Sequence, residues 1–209
     1  MNKEIARKKF NVTLLGESDV GKTRMTNSYF GKINENDTIL STIGIESTID
    51  KATFDGIEYK FKIYDTAGQE RYKSISRSAI KINDGFLLVF SVANRNSFEL
   101  IDDWLKSIIQ EVDIKKKIIY LVGNKIDLDN REVTNEEAVT YAGLKNIKYF
   151  ETSAKTGFGI KEVFNQLYQD IYDLFKASRP SIETNNNNIE LGRSQQTKKK
   201  ILLIFIHFN

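Results

Sequence analysis

The 209-residue chain contains no cysteine, which excludes disulfides and zinc–thiolate sites and fits a reducing, cytoplasmic compartment. It has one proline, Pro180, which ends any helix before it. It has one histidine, His207, which sits in the C-terminal tail with no partner for acid–base work. An excess of either charge is missing too. Thirty-one Lys and Arg against 28 Asp and Glu leave +3, too little to argue for nucleic acid. No apolar run approaches the roughly 20 residues that a bilayer-spanning helix needs. The first ten residues are charged and lack the apolar stretch of a secretory signal, so none is expected.

Against these absences stands Gly16-Glu17-Ser18-Asp19-Val20-Gly21-Lys22-Thr23, which fits G-x-x-x-x-G-K-[ST] without a mismatch. An apolar run, Phe10 to Leu15, precedes it, and a helix can begin beyond it at Arg24. Strand, loop, helix is the order the motif needs. Backbone N–H groups from Ser18, Asp19, Val20, Gly21, Lys22, Thr23 and Arg24 would form a nest for phosphate oxygens at a helix N-terminus. The Lys22 ammonium would reach the outer phosphates, and the Thr23 hydroxyl would ligate Mg²⁺.

Two short segments decide the base. Asn124-Lys125-Ile126-Asp127 follows the apolar run Ile118 to Val122. The Asp127 carboxylate can accept two hydrogen bonds from N1–H and the 2-amino group of guanine, a donor pair that adenine lacks. A site built on hydrogen bonds rejects partners that cannot make them. Ser153-Ala154-Lys155 follows another short strand near Lys148 to Phe150, and Ala154 can offer its N–H to guanine O6. Together these point to GTP and GDP. Between them, Asp65-Thr66-Ala67-Gly68-Gln69-Glu70 ends the strand Tyr59 to Tyr64. Asp65 can hold Mg²⁺ through a water, Gly68 can bring its N–H to a γ-phosphate, and Gln69 can orient an attacking water. Thr42 can complete the Mg²⁺ shell when a γ-phosphate is present.

Apolar runs alternate with amphipathic stretches, which predicts an α/β fold with a mostly parallel sheet. Leu87 to Phe90 and Ile118 to Val122 read as strands buried on both faces. Asp55-Gly56 is a tight hairpin signal, so Ile45–Phe54 and Ile57–Tyr64 should pair antiparallel at the sheet edge. One helical stripe runs Phe98, Ile101, Leu105, Ile108, Val112, with Trp104 as packing. A second and clearer one runs from Ile160 to Phe175. Thr134-Asn135-Glu136-Glu137 has the form of a capping box. All the ligand motifs then sit at carboxyl ends of strands, where open α/β sheets bind ligands.

From Lys9 to Lys176 the chain resembles the Ras superfamily of small GTPases. Ser41 to Ile45 and Asp65 to Tyr72 are most similar to the Rab family, while Gly85 to Ser91 is closer to Ras and Rap. The resemblance implies a P-loop NTPase G domain: a six-stranded, mostly parallel sheet with one antiparallel edge strand and helices on both faces. It implies an N-terminal extension over 1–8, a G domain over 9–176 and a flexible tail over 177–209. The implied function is a GTP/GDP-dependent switch that hydrolyses GTP slowly, with Gln69 and Lys22 as catalytic residues and Mg²⁺ as cofactor. Effectors, exchange factors and GTPase-activating proteins would read residues near 32–47 and 66–82. A cytoplasmic monomer is expected, in vesicle trafficking or signalling, at endomembrane surfaces where peripheral.

Four features depart from that pattern. Asp19 replaces a usual glycine: near phosphate oxygens its carboxylate would weaken binding and speed GDP release, and turned to solvent it would be screened. Ile33 stands nearest the place of an aromatic that stacks on guanine. Ser47, Tyr64 and Ala79-Ile80-Lys81 replace the aromatic effector surface usual in Rab proteins. No C-terminal cysteine can carry a prenyl group. Lys198-Lys199-Lys200 before the apolar run 201–208 leaves only weak peripheral membrane contact, or a tail without a membrane role. Two other readings stay open. One is a GTPase-like binding or scaffold protein with weak nucleotide retention or no turnover. The other, a nucleotide kinase, is disfavoured by the guanine-selecting segment.

Overall fold

The computed structural model describes residues 8–32, 45–66 and 77–179, which belong to one compact unit ending at Arg179. Six strands make one sheet: β1 (Lys9–Leu15), β2 (Ile45–Phe54), β3 (Ile57–Thr66), β4 (Gly85–Ser91), β5 (Ile118–Asn124) and β6 (Lys148–Glu151). Their order is β2-β3-β1-β4-β5-β6. Only β2 runs antiparallel, against β3, through the Asp55-Gly56 turn. The predicted fold class is the one observed.

Burial explains why these segments are strands. All seven residues of β4 are buried, and alternate side chains feed opposite faces. Leu87 and Val89 join a core with Val12, Ile63, Phe164 and Leu167. Phe86, Leu88 and Phe90 join a second core with Leu105, Ile108 and Ala138. On β3, Tyr59, Phe61 and Ile63 are buried, while Lys60 is exposed and Lys62 half-buried.

The helices are α1 (Lys22–Tyr29), α2 (Arg77–Ile82), α3 (Arg95–Glu99), α4 (Ile101–Glu111), α5 (Asn135–Lys145) and α6 (Ile160–Ala177). α1 and α6 cover the first core. Tyr29 stacks on Phe164 with centroids 4.4 Å apart, and its hydroxyl donates to Asp50 at 2.6 Å, tying α1 to α6 and β2. α3, α4 and α5 cover the other face.

Three local expectations differ from what forms. The stripe from Phe98 to Val112 is two helices: α3 is capped by the Asn94 side chain, which accepts from Ser97 N–H, and α4 restarts after Leu100. Val112 is extended and ends the stripe. Thr134 caps α5 by accepting from Glu137 N–H, but the Glu137 carboxylate pairs with Arg95 of α3. Residues 77–82, expected only as part of the partner-reading segment 66–82, form α2, whose Ile80 is buried in the second core.

The aromatic seam under α1 gives the first prediction. Phe164→Ala removes a fully buried ring stacked on Tyr29 and should cost about 3–5 kcal/mol of stability in urea unfolding. A loss below about 1 kcal/mol would contradict the packing described.

Candidate functional site

Strand register brings the ligand motifs to one edge. Leu14 of β1 lies beside Asp65 of β3, and Ser91 of β4 beside Asn124 of β5. Gly16 leaves β1 at φ +141°, with the Val89 carbonyl so close that a Cβ would lie 2.0 Å from its oxygen. Gly21, at φ +97°, caps α1, and a Cβ there would lie 2.4 Å from Asn124 Nδ2. Both glycines are therefore required by space as well as by conformation. Lys22, directly after Gly21, is buried, and its ammonium donates to the carbonyls of Gly16 at 2.7 Å and Glu17 at 2.8 Å. The side chain thus folds back over its own loop. Ser18 and Asp19 are exposed on the loop, Val20 is buried, and Thr23 and Arg24 are half-buried in the first turn of α1.

Asn124 joins the motifs. It is fully buried at the end of β5. Its Nδ2 donates to the Val20 carbonyl at 2.8 Å. Its Oδ1 accepts from Thr152 Oγ1 at 3.1 Å and from Ala154 N–H at 3.0 Å. One amide side chain therefore holds the phosphate loop against the segment after β6. Ser153 Oγ donates to Asp127 Oδ1 at 2.6 Å and accepts from Thr156 N–H, which fixes the Asp127 carboxylate in orientation. The Lys155 ammonium lies 4.0 Å from Asp127 Oδ2. Sequence reasoning missed Thr152. Its only signal was a polar residue at the exit of a strand, immediately before Ser153-Ala154-Lys155.

Two expectations change in detail. The Ala154 N–H, read as a donor to guanine O6, is engaged by Asn124 Oδ1, so a guanine carbonyl would have to share it in a three-centre bond. The Asp19 carboxylate turns outward: its side chain is 94% exposed and pairs with the Lys125 ammonium at 3.1 Å. Both residues have positive φ, +63° for Asp19 and +65° for Lys125. Aspartate tolerates this region better than most residues, which accounts for its fit where glycine is usual. Thr42, Gly68, Gln69 and Ile33 lie outside the described residues, as do the tail segments from Pro180 onward.

The residues present fit a guanine nucleotide with Mg²⁺. The loop leaves no room for side chains where its two glycines stand. Arg24 Nε, one residue past Thr23, is buried with no hydrogen-bond partner among the described residues, a state native structures rarely leave unfilled. Asp65 is a buried carboxylate at the end of β3, beside the phosphate loop's strand. Among the described residues no group of three or more His, Cys, Asp or Glu could hold a metal by itself. Mg²⁺ binds through one or two protein oxygens, waters and substrate phosphates, a donor set that Asp65 and the Thr23 hydroxyl fit.

Comparison with known proteins agrees with this geometry. The Ras family model matches residues 11–173. The chain is 37% identical over 178 residues to Ras-related protein Rab-13 of Bos taurus, covering 85% of this chain and 86% of that one. It is 37% identical over 181 residues to Ras-related protein Rab-11B of Dictyostelium discoideum, covering 84% and 80%. It is 35% identical over 189 residues to Ras-related protein Rab-39A of Homo sapiens, covering 88% and 87%. The chain belongs to the Ras family. Within it, the chain is Rab-like, a small GTPase that takes GTP or GDP with Mg²⁺.

In this Ras-family site, Asn124→Ala should be the most damaging small change. It strands a buried carbonyl at Val20 and a buried N–H at Ala154, at about 1–3 kcal/mol each. Urea unfolding of the GDP–Mg²⁺ form should show a loss above about 2 kcal/mol, with GDP affinity falling in parallel. Unchanged stability would refute the clamp. Asp19→Gly should slow GDP dissociation only about twofold at low salt, because an outward-facing, paired carboxylate is largely screened. A tenfold effect would place that carboxylate against the phosphates instead.

Proposed function

We propose that this chain is a GTP/GDP-dependent switch that hydrolyses GTP slowly and acts in vesicle trafficking or signalling at endomembrane surfaces. The observation that carries the reading is Asn124, which binds the phosphate loop and the guanine-side segment into one rigid edge beside an oriented Asp127.

In this reading the loop N–H groups from Ser18 to Arg24 receive the phosphates, and Asn124, Lys125, Asp127, Ser153, Ala154 and Lys155 receive the base. Mg²⁺, held by Thr23, Thr42 and Asp65, supplies charge neutralisation on the phosphoryl oxygens. Lys22 adds a fixed cation in a site buried from water, where its effect is larger than in solvent. Gln69 orients the attacking water. Catalysis is then mostly positioning, and unassisted turnover is slow without an arginine supplied from outside. The useful output is conformational: Thr42 and Gly68 tether their segments to the γ-phosphate and release them after hydrolysis. The switch unit is residues 9–176, with 1–8 and 177–209 as appendages.

Effectors, exchange factors and activating proteins would read 32–47 and 66–82. Ser47 and Tyr64, which both depart from the Rab pattern, are register partners across β2 and β3, so these two altered positions adjoin, while Ile80, also expected on that surface, is buried in the second core. Lys62 covers the Tyr64 ring at 4.7 Å, which adds a cation to it. The partners of the Rab proteins named above therefore do not transfer to this chain. No described helix is long and apolar enough to cross a membrane; weak peripheral membrane contact is assigned to 198–208 from its basic and apolar sequence.

A base-swap experiment tests the reading. Asp127→Asn exchanges a pair of acceptors for one acceptor and one donor. It should lower GDP affinity about 100-fold or more while allowing xanthosine diphosphate, which carries a carbonyl in place of the 2-amino group. Equal GDP affinity in wild type and variant would contradict the assignment of the base site.

A further inference from the structure

A cavity of about 370 Å³ opens at the end of the sheet away from the nucleotide motifs. Its floor is the start of β5 and β6, at Ile118 and Lys148. Ile118 lies roughly 20 Å along β5 from Asn124, at about 3.3 Å per residue. The volume is in the range of small-ligand sites, about 300–1,000 Å³. The walls are branched aliphatics: Leu105 and Ile109 from α4, Ile114 from the 3-10 turn Ile114–Lys116, Ile118 from β5, and Ile147. Ile109 and Ile114 are 49% and 39% exposed, and together with Ile118 and Ile147 they make a contiguous apolar lining.

The polar groups around this cavity differ in one respect. Lys145 is paired with Asp102, and Lys148 with Asp170. The Tyr120 hydroxyl is taken up by Asp170 and the Gln166 carbonyl. Among the described residues, Lys115 and Lys117 have no carboxylate partner. Lys115 is exposed at the rim. Lys117 is half-buried and gives two of its three N–H donors to the carbonyls of Lys81 and Asn83. Burial, reinforced by nearby Lys8, pulls its ammonium below the ordinary lysine range against the opposing pull of Asp84. An anion brought to its remaining N–H would repay that desolvation.

We propose that this cavity binds an anionic amphiphile of the fatty-acid class, its aliphatic chain between Ile109, Ile114 and Ile118 and its carboxylate on Lys117 and Lys115. Asn146 and Asp170 also line the cavity, but its charged side chains are mostly cationic: Lys115, Lys117, Lys145 and Lys148 against the one carboxylate of Asp170. A cationic head would meet a lining that is mostly lysine. At roughly 30 Å³ for a methylene-sized group, by analogy with water, the space suits a chain of about ten carbons. The site is separate from the nucleotide edge, so its failure would leave the switch reading untouched.

The test uses the full chain in its GDP–Mg²⁺ form, with isoleucine methyl NMR as readout and all probes below their micelle concentrations. Decanoate should shift the methyl signals of Ile114 and Ile118 saturably. Octanoate should bind more weakly by about fourfold per methylene. Decanol should bind at least tenfold more weakly than decanoate, and decyltrimethylammonium weaker still. Lys117→Met with Lys115→Gln should cut decanoate affinity at least tenfold while leaving GDP dissociation unchanged. Lys115→Gln alone, at an exposed position, should give a smaller loss in a chain certain to keep its packing at Lys117. Decanol binding as tightly as decanoate, unchanged affinity in the double variant, or no saturable shift would each overturn the proposal. So would an acidic Glu–Leu repeat peptide that shifts the same methyls when decanoate does not, which would make the groove a protein interface.

Discussion

The site depends on one buried side chain. Asn124 stands at the end of β5 with three of the four hydrogen-bonding positions of its amide committed inside the protein, to Val20, Thr152 and Ala154. A buried amide is costly to strand, so each partner is held as firmly as the amide itself. The phosphate loop and the base-side segment come from opposite ends of the sequence, |i−j| 104 and 30 from Asn124. Neither has enough local structure to fix the other. Gly21 must lack a Cβ because Nδ2 of Asn124 fills the space where one would stand.

The sheet makes that interaction available. β4 and β1 are buried along nearly their whole length, and their parallel register brings strand ends to a common edge. α1 and α6 seal one face through stacked rings, Tyr29 on Phe164 and Phe61 on Tyr168 at 3.9 Å. Burial, reinforced by Asp50, raises the Tyr29 and Tyr168 hydroxyls above the usual phenol range. The phosphate loop therefore starts from a strand and ends in a helix that are both immobilised by packing. Little of the binding energy for a nucleotide needs to be spent on ordering them.

The strands, the antiparallel edge pair and the long helix α6 were legible because their apolar periods are strong and long. The phosphate loop, Asp65, Asn124 and Asp127 stood out in the sequence because each spacing carries a distinct chemistry, and strand register brings their segments to the same end of the sheet. What was not legible depends on contacts distant in sequence. The break at Leu100 interrupts no apolar stripe, since the residues on either side pack on the same core. Glu137 has the right place for a capping box, but Arg95, 42 residues away, takes its carboxylate. The sequence left Asp19 two directions, and the Lys125 ammonium across the loop selects the outward one. The Ala154 N–H looked available for a ligand because nothing local showed that Asn124 reaches it.

The central claim is that this edge retains GTP and turns it over as a switch. Single-turnover hydrolysis with Mg²⁺, wild type beside Gln69→Leu, with bound nucleotide assayed before and after, tests it most directly. The account predicts about one nucleotide per chain, slow conversion of GTP to GDP in the wild type, and loss of that conversion with nucleotide retained in the variant. Bound GTP that never turns over in the wild type, or a chain that retains no nucleotide, would contradict it and leave a GTPase-like binding module.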